Sequence, residues 1–318
     1  MNKLPAISIV VIGYNTCQQL RELLVSINNL NIKPNSLEVV YIDDGSSDNS
    51  YNMFSSFEVR YKKTGKRLPK NLGRVEATQE GISQSSGEWL LFIRSNENFN
   101  TNTLEEYLLA VNSNLGVAYM GSVNYSSNDK IFVSYLNNQK RGAKLFDNGD
   151  VLHYRYLLFN NSLIHKSIFK KIALNKAFQN YGGEELDFSF RLSKIYKKKI
   201  IAWPSAVVNR SFYPSLREHC LRLEEFGGFN FLLLNHELKK EVIKLPLLLY
   251  SNHFFKLFNS LVLSFLFWLY AKNNNLNISY YIVRASFLCS ILKGYYNASK
   301  LPESKSSIVA SSQSSDRT

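Results

Sequence analysis

An α/β fold, with a mainly parallel sheet flanked by helices and a hydrophobic helical region following it, is what the sequence predicts. Three observations predict it. Short unbroken apolar runs, as in strands buried on both faces, alternate with helical periodicities through the first hundred residues. Those runs end in clusters of turn-forming and polar residues, the place where open α/β sheets bind their ligands. From Leu245 onward the composition becomes apolar and aromatic. The expected organisation is an α/β domain over 1–244, a helical extension over 245–300 and a polar, Ser-rich, disordered tail over 301–318.

The elements follow in order. "AISIVVI" (Ala6 to Ile12) is a first buried strand. Leu20, Leu23, Leu24, Ile27 and Leu30 then recur with a helical period, with Asn15 or Thr16 as the cap. "LEVVYI" (Leu37 to Ile42) is a second strand, ending in the turn-rich "DDGSSDNS". "FEVRY" reads as a third strand, "RVEATQEGISQ" as a helix and "EWLLFI" as a fourth strand. Thr103 and Glu106 have the spacing of a capping box for the helix "TLEEYLLAVN". The stretch from Gly116 to Phe159 is less regular and suits shorter strands. "HKSIFKKIA" and "LDFSFRLSKIYKK" are helical, with the turn "NYGGEE" between them, and "IIAWP" is another strand.

Composition narrows the function classes. The chain has 318 residues and a formal net charge of +13, with basic clusters at Arg60 to Lys70 and Lys194 to Lys199. Such charge is either solvated surface or an attractor of phosphates and anionic lipid. No zinc-finger spacing, recognition helix or RNA-binding aromatic motif accompanies it, so nucleic acid is not the expected partner. Cys17, Cys220 and Cys289 are scattered, with neither disulfide nor metal spacing, which fits a reducing compartment. "MNKLPAISIVVIGYN" has no small-residue cleavage site, so no signal peptide is expected.

In the apolar region, "LPLLLYSNHFFKLFNSLVLSFLFWLYA" is interrupted by Asn252, His253, Lys256 and Asn259. Its longest clean run, Leu261 to Ala271, is short of the ~20 residues a spanning helix needs. A second segment, "ISYYIVRASFLCSIL", is broken by Arg284. Either the two pack as helices over a core, or they form an interfacial anchor with peripheral membrane contact through 245–292. The anchor is the preferred reading, which places the protein in the cytoplasm on the inner face of the membrane.

Four motifs carry the chemistry. Gly13-Tyr14-Asn15 follows the first strand, either as a tight turn or where backbone approaches a ligand and an aromatic borders a flat base. Asp43-Asp44 ends the second strand and can accept hydrogen bonds from a base or ribose, or form an Asx turn with Asp48 capping the next helix. Arg94-Ser95-Asn96-Glu97 ends the fourth strand. Glu184-Glu185 opens a helix after Gly182-Gly183, where acids also serve as dipole partners.

In order and spacing, "VVIGYN", "VYIDDGSSDNS", "GEWLLF" and "YGGEELDFSFRL" resemble glycosyltransferase family 2, over roughly Ile7 to Arg210. The resemblance implies a Rossmann-like GT-A fold, a nucleotide-sugar donor (a UDP-sugar favoured) and an inverting transfer to a glycan or lipid-linked acceptor. It implies Asp44, with Asp43 beside it, as the uracil-type contact, and Asn71 in the donor site. Thr78-Gln79 stands where the family has Arg-Asn, so either Arg74 or Lys70 is the substitute cation or the two belong to a solvated basic face. Glu185, with Glu184 beside it, falls at the position of the base. Asn161 falls at an acceptor-lining asparagine. Asn209-Arg210 stands where a histidine is usual, and none of His153, His165 or His219 replaces it.

At the fourth strand tip the family usually has Asp-x-Asp, whose acids hold a divalent cation on the donor diphosphate. Here Arg94 and Asn96 occupy those positions and Glu97 follows. Three readings stand: Glu97 holds Mg²⁺ or Mn²⁺ with few protein ligands, Arg94 itself neutralises the diphosphate without metal, or the site has decayed. Asn96 is assigned to the ribose and diphosphate. The rival of another class is a non-catalytic nucleotide-sugar-binding or scaffold protein. A nucleotidyltransferase is set aside because no Gly-rich phosphate loop stands near the start.

Overall fold

The computed structural model describes residues 7–32, 37–211, 213–243, 253–272 and 276–298. The expected tail, 301–318, lies outside these. The described chain groups into two compact units: 7–179 with 184–213, and 180–183 with the residues from Pro214 on.

The first unit is built on a sheet. Its strands are β1 (Ile7–Gly13), β2 (Leu37–Asp43), β3 (Lys62–Arg67), β4 (Trp89–Arg94), β5 (Glu97–Phe99), β6 (Ala118–Tyr125), β7 (Ser162–His165) and β8 (Ile200–Arg210). They lie in the order β3-β2-β1-β4-β7-β6-β8-β5. β3, β2, β1 and β4 run parallel, as expected. Beyond them the sheet is mixed: β7 is antiparallel to both β4 and β6, and β5 is antiparallel to β8.

β1 sits between β2 and β4, so the chain leaves it in one direction and later returns on its other side. That reversal is the topological switch point at which open α/β sheets bind ligands. Register fixes what arrives there: Gly13 lies opposite Asp43, and Ile12 opposite Arg94.

Helix α1 (Cys17–Asn28) buries Leu20, Leu23, Leu24 and Ile27. α2 (Ser50–Ser56), α3 (Arg74–Gln84) and α4 (Thr103–Asn112) follow. Neither Asn15 nor Thr16 caps α1 through its side chain. Asp48 does so from a distance, accepting the Cys17 N–H at 3.0 Å while also accepting the Ser50 N–H at 3.0 Å. Burial opposes its ionisation, but the Ser50 and Cys17 hydrogen bonds win and lower its pKa.

Several local expectations are corrected. The third strand is not "FEVRY" but "KKTGKR", which begins only where that stretch ends. It is an exposed edge strand, so it lacks the apolar signature of a buried one, and its lysines guard the edge. The Thr103–Glu106 capping box does not form. Thr103 instead donates to the Val207 carbonyl, and Glu106 accepts the Trp203 indole N–H at 3.1 Å. β8 extends well past "IIAWP": its register on β6 breaks between Met120 and Ser122, opposite the stretch containing Pro204, where a bulge tolerates proline. The unit is completed by α5 (Lys130–Leu136), the short α6 (Ser167–Lys171) and α7 (Glu184–Ile195).

The second unit is helical: α8 (Leu216–Gly228), α9 (Asn230–Leu233), α10 (His236–Val242), α11 (His253–Lys272) and α12 (Leu276–Ala298). It therefore begins about thirty residues before the expected boundary at 245. Glycines explain why α8 groups with α12. A Cβ on Gly227 would strike the Ile291 carbonyl, and one on Gly294 the Glu224 carbonyl, so the backbones touch. Lys293 and Glu224 pair beside that crossing at 2.8 Å. α12 is a packed helix with Ile282, Val283, Ser286 and Leu292 buried, and not the exposed anchor expected of it. α11 is tied to it by Asn259, which donates to the Cys289 carbonyl at 2.9 Å, yet exposes Phe254, Leu257, Phe258, Leu261, Phe265 and Trp268. Within 180–183, Asn230 Nδ2 donates to the carbonyls of Asn180 (2.7 Å) and Gly182 (2.6 Å), fixing a turn in which Gly182 and Gly183 take φ of +80° and +93°.

One buried carboxylate measures how tightly the parallel strands are joined. Glu38 on β2 accepts from Ser8 Oγ (2.6 Å) and Ser86 Oγ (2.8 Å) and pairs with Lys62 (3.1 Å). Burial raises its pKa, but these bonds outweigh it and bring the group from 4.5 down to about 2. A lowered carboxylate stabilises fully above its unfolded pKa and ceases to do so as pH falls through the folded one. Wild type should thus lose about 3 kcal/mol between pH 4.5 and 2 through this group, at ~1.4 kcal/mol per unit. Urea unfolding of wild type and Glu38→Gln should show a stability difference that shrinks across that window. A difference independent of pH would contradict the linkage.

Candidate active site

The carboxyl ends of β1, β2 and β4 and the start of α7 bring most of the sequence-predicted residues together. Every acid among them has an arginine or a backbone amide on it.

At the end of β1, Gly13 is required by packing: a Cβ there would lie 2.8 Å from the Tyr41 ring and 2.9 Å from Thr16 Oγ1. The expected reason, backbone approach to a ligand, is not what demands glycine. Tyr14 is exposed. Asn15 adopts φ +54°, and its Oδ1 accepts the Ser47 N–H at 2.8 Å and the Asp48 N–H at 3.3 Å. It buckles the β1 loop to the β2 loop.

The two aspartates divide. Asp43 is fully buried, accepts from the Ser46 N–H (3.1 Å) and Ser46 hydroxyl, and lies 3.5 Å from Arg67 Nε. This is the Asx turn, and it turns Asp43 away from the nucleoside role expected beside Asp44. Asp44 holds the next loop: Oδ1 accepts the Leu72 N–H at 2.8 Å and Oδ2 the Gly73 N–H at 3.1 Å. Burial pushes its pKa up to about 6, the two amides pull it down, and Asp43's charge adds to the rise. Each carboxylate oxygen keeps a second lone pair for a ligand. Asn71, in the same loop and exposed, accepts the Gly73 N–H at 3.1 Å. Gly73 needs its φ of +87°, and a Cβ there would meet the Gln179 carbonyl at 3.0 Å.

At α7, Glu184 and Glu185 also divide. Glu184 is buried and pairs with Arg74 at 3.0 Å. Burial raises its pKa, with Arg74 opposing and Glu185 reinforcing. It joins the starts of α3 and α7, and its second oxygen is enclosed without a hydrogen bond. Glu185 is more open. Its Oε1 accepts from Arg94 Nη2 at 2.7 Å and from the Phe159 N–H at 3.0 Å. Among the described residues no hydrogen bond falls on its Oε2, so one oxygen is anchored and the other is available.

Arg94 uses both ends, because its backbone N–H donates to Glu97 Oε2 at 2.9 Å. Glu97 belongs to β5, a strand not anticipated, and is fully buried, with Arg210 3.7 Å from Oε1. Burial raises its pKa, and Arg210 opposes the rise. Asn96 makes one long bond, to the Ser211 carbonyl at 3.4 Å. These residues do not fit a divalent cation. Glu97 is a single enclosed carboxylate held by the Arg94 main-chain N–H and faced by the Arg210 guanidinium, and among the described residues no three His, Cys, Asp or Glu side chains converge. The expected acceptor-lining Asn161 is likewise internal. It is fully buried at φ +53°, with Nδ2 donating to the Ser122 and Ala206 carbonyls, both at 2.7 Å, and Oδ1 accepting from Tyr107 at 3.0 Å.

Sequence reasoning missed Arg210 as the partner of Glu97, Arg67 as the partner of Asp43, and the Phe159 amide. The first two were visible only as unassigned basic residues; a backbone amide leaves no mark on sequence.

Residues 8–173, just over half of the chain, match the model of the family described as glycosyl transferase family 2. The chain belongs to that family. This family-2 member is 29% identical over 135 residues to the glycosyltransferase GlyG of Streptococcus pneumoniae serotype 4. The match covers 42% of this chain and 44% of GlyG, so the chain spans less than half the length of that curated relative in alignment. Among solved structures it resembles S. aureus TarS 1-349 in complex with UDP, with TM-score 0.57 and 14% identity over 96% of this chain and 92% of that one. It also resembles the mannosyltransferase PcManGT of Pyrobaculum calidifontis in complex with GDP-Man and Mn²⁺, with TM-score 0.55 and 12% identity over 98% and 80%. The fold is thus the GT-A arrangement that the motifs implied.

The Asp44 clamp can be tested directly. An asparagine offers one acceptor where the carboxylate offers two, and turns an amide donor toward the other N–H. In Asp44→Asn, hydrogen exchange at Leu72 and Gly73 should quicken at least tenfold, roughly the ~1.4 kcal/mol of one net hydrogen bond. Unchanged protection at both amides would show that the loop holds itself.

Proposed function

We propose that this chain is an inverting glycosyltransferase that moves a sugar from a nucleoside-diphosphate donor, a UDP-sugar, to a hydroxyl of a glycan or lipid-linked acceptor, in cell-surface polysaccharide synthesis. One observation carries the reading: Glu185, anchored through Oε1 beside Arg94 at the switch-point end of β4, keeps Oε2 available. A base in inverting transfer must reach the acceptor hydroxyl on the face opposite the leaving group. Glu185 takes the hydroxyl proton as the acceptor oxygen bonds to the anomeric carbon, and the bond from that carbon to the diphosphate breaks, with inversion.

Asp44, Tyr14 and Asn71 are assigned to the nucleoside, and Asn96 to the ribose and diphosphate. Arg94 is the cation for the developing diphosphate charge, since a guanidinium fork suits phosphate oxygens. Glu97 is given no metal role here. The UDP complex of TarS supports the choice of nucleotide. The PcManGT complex supports a nucleotide sugar in general.

Location belongs to the same proposal. The exposed α11 side chains Phe254, Leu257, Phe258, Leu261, Phe265 and Trp268 recur every three or four residues, one face of a helix. Phe254–Lys272 is long and apolar enough to cross a membrane by length and composition. The reading favoured is peripheral: this face enters the headgroup region of the inner leaflet, drawn by the basic charge of a cytoplasmic protein.

The chemistry is tested with a panel of UDP-sugars, measuring donor hydrolysis and transfer to candidate glycans. Glu185→Gln should lower turnover by about 10²–10⁴, the usual contribution of a general base, with UDP affinity retained. Undiminished turnover in Glu185→Gln removes Glu185 as base. Tight UDP-sugar binding by wild type without turnover on any donor is the result expected of a non-catalytic scaffold.

The membrane contact is tested by sedimentation with phosphatidylglycerol-containing vesicles. Replacing Leu257, Leu261 and Phe265 by serine should release most of the protein, since each buried side chain is worth ~1.5–3 kcal/mol. Equal pelleting of wild type and triple variant would overturn it.

A further inference from the structure

A cavity of about 230 Å³ is lined by β6, the end of α5, the two short helical turns that follow and the segment leading into β7. Its lining includes Arg141, Lys144 and Arg155, and no acidic side chain. The two guanidinium groups are held by aromatic faces and not by carboxylates: Arg141 lies 4.5 Å over the Tyr135 ring and Arg155 4.9 Å over the Tyr156 ring. Lys144 donates to Asn124 Oδ1 at 2.8 Å, a neutral partner. Aromatic support orients an arginine without cancelling its charge. Burial and the nearby Arg141 both lower the Lys144 pKa, the mark of cations crowded without an anion.

The same wall carries buried polar atoms without partners. Ser122 Oγ and Asn160 Oδ1 are enclosed, make no hydrogen bond, and belong to residues that line the cavity. Neither atom is open to the cavity, so the ligand contacts of this wall fall to its cations.

Position links the cavity to chemistry. Leu158 and Asn160 line it, and the residue between them, Phe159, donates its N–H to Glu185 Oε1. A single backbone residue therefore separates the cavity wall from the carboxylate assigned as base. The volume is below the ~300 Å³ at which pockets for whole drug-sized ligands begin, so it suits one unit of a longer molecule.

We propose that this cavity is an acceptor subsite for an acidic sugar unit, whose oxyanion meets Arg141, Lys144 and Arg155. The acceptor is then an anionic glycan, bearing phosphate or carboxylate groups. This rests on the transferase reading for its role, but not for its binding chemistry.

The test is calorimetry on the full chain without donor, using glucose 6-phosphate, glucuronate and glucose. The acidic sugars should bind at least tenfold more tightly than glucose, more weakly as NaCl rises. A preference for glucose 6-phosphate assigns phosphate as the acceptor's charge, and a preference for glucuronate assigns carboxylate. Arg141→Ala with Arg155→Ala should reduce acidic-sugar affinity at least tenfold while leaving UDP affinity within twofold. Should that pair fail to fold, Lys144→Gln should give a threefold loss. Glucose binding as tightly as the acids, or full affinity in a folded variant, overturns the subsite. Failure of wild type to bind UDP would instead count against the transferase reading alone.

Discussion

The lateral register of β1 between β2 and β4 is the constraint on which the rest depends. Parallel strands carry their loops to one edge, and this register ends Gly13, Asp43 and Arg94 within one residue of each other along the sheet. A slip of one residue would turn each side chain to the opposite face. The buried apolar side chains of all three strands forbid it, so core packing and site geometry are the same fact. The Glu38 cluster, which joins β2 to Ser8 and to the turn before β4, fastens the opposite end of the same strands.

The electrostatic character of that edge is arginine matched to carboxylate. Arg67 faces Asp43, Arg74 faces Glu184, Arg94 faces Glu185 and Arg210 faces Glu97. Paired charges of this kind are held for position, because desolvation offsets much of their attraction. Their effect is to rank the acids by availability. Asp43, Glu184 and Glu97 face arginines in the interior; Asp44, as buried as Glu184, is held by amides alone, and Glu185 is the more open. Two of the expected site acids thus remain suited to ligand, and the others hold the frame that presents them.

Much of this was legible in sequence for definite reasons. α3 announced itself with a full helical pattern and was read to its observed ends. β1, β2 and β4 are apolar runs, apart from Ser8 and Glu38 within them, because they are covered on both faces. β3 escaped because an edge strand of lysines has no apolar code, and β5 because three residues carry no period. The motif positions placed the site, but sequence could not tell Asp43 from Asp44 or Glu184 from Glu185. Neighbouring acids differ only in which way the backbone turns them, and that depends on Ser46, the Leu72 and Gly73 amides, Arg74 and Arg94. Asn161 misled for a similar reason: an asparagine at a strand end reads the same whether it meets ligand or clasps two backbone carbonyls and a tyrosine from within.

Arg94 holds Glu97 through its main chain and Glu185 through its side chain. The first bond is indifferent to residue type, so β5 stays moored whatever occupies position 94. The second is not. An aspartate at 94 would set like charge against Glu185 across less than 3 Å of present contact. Substitution at position 94 therefore reaches the carboxylate assigned as base and leaves the strand beside it in place.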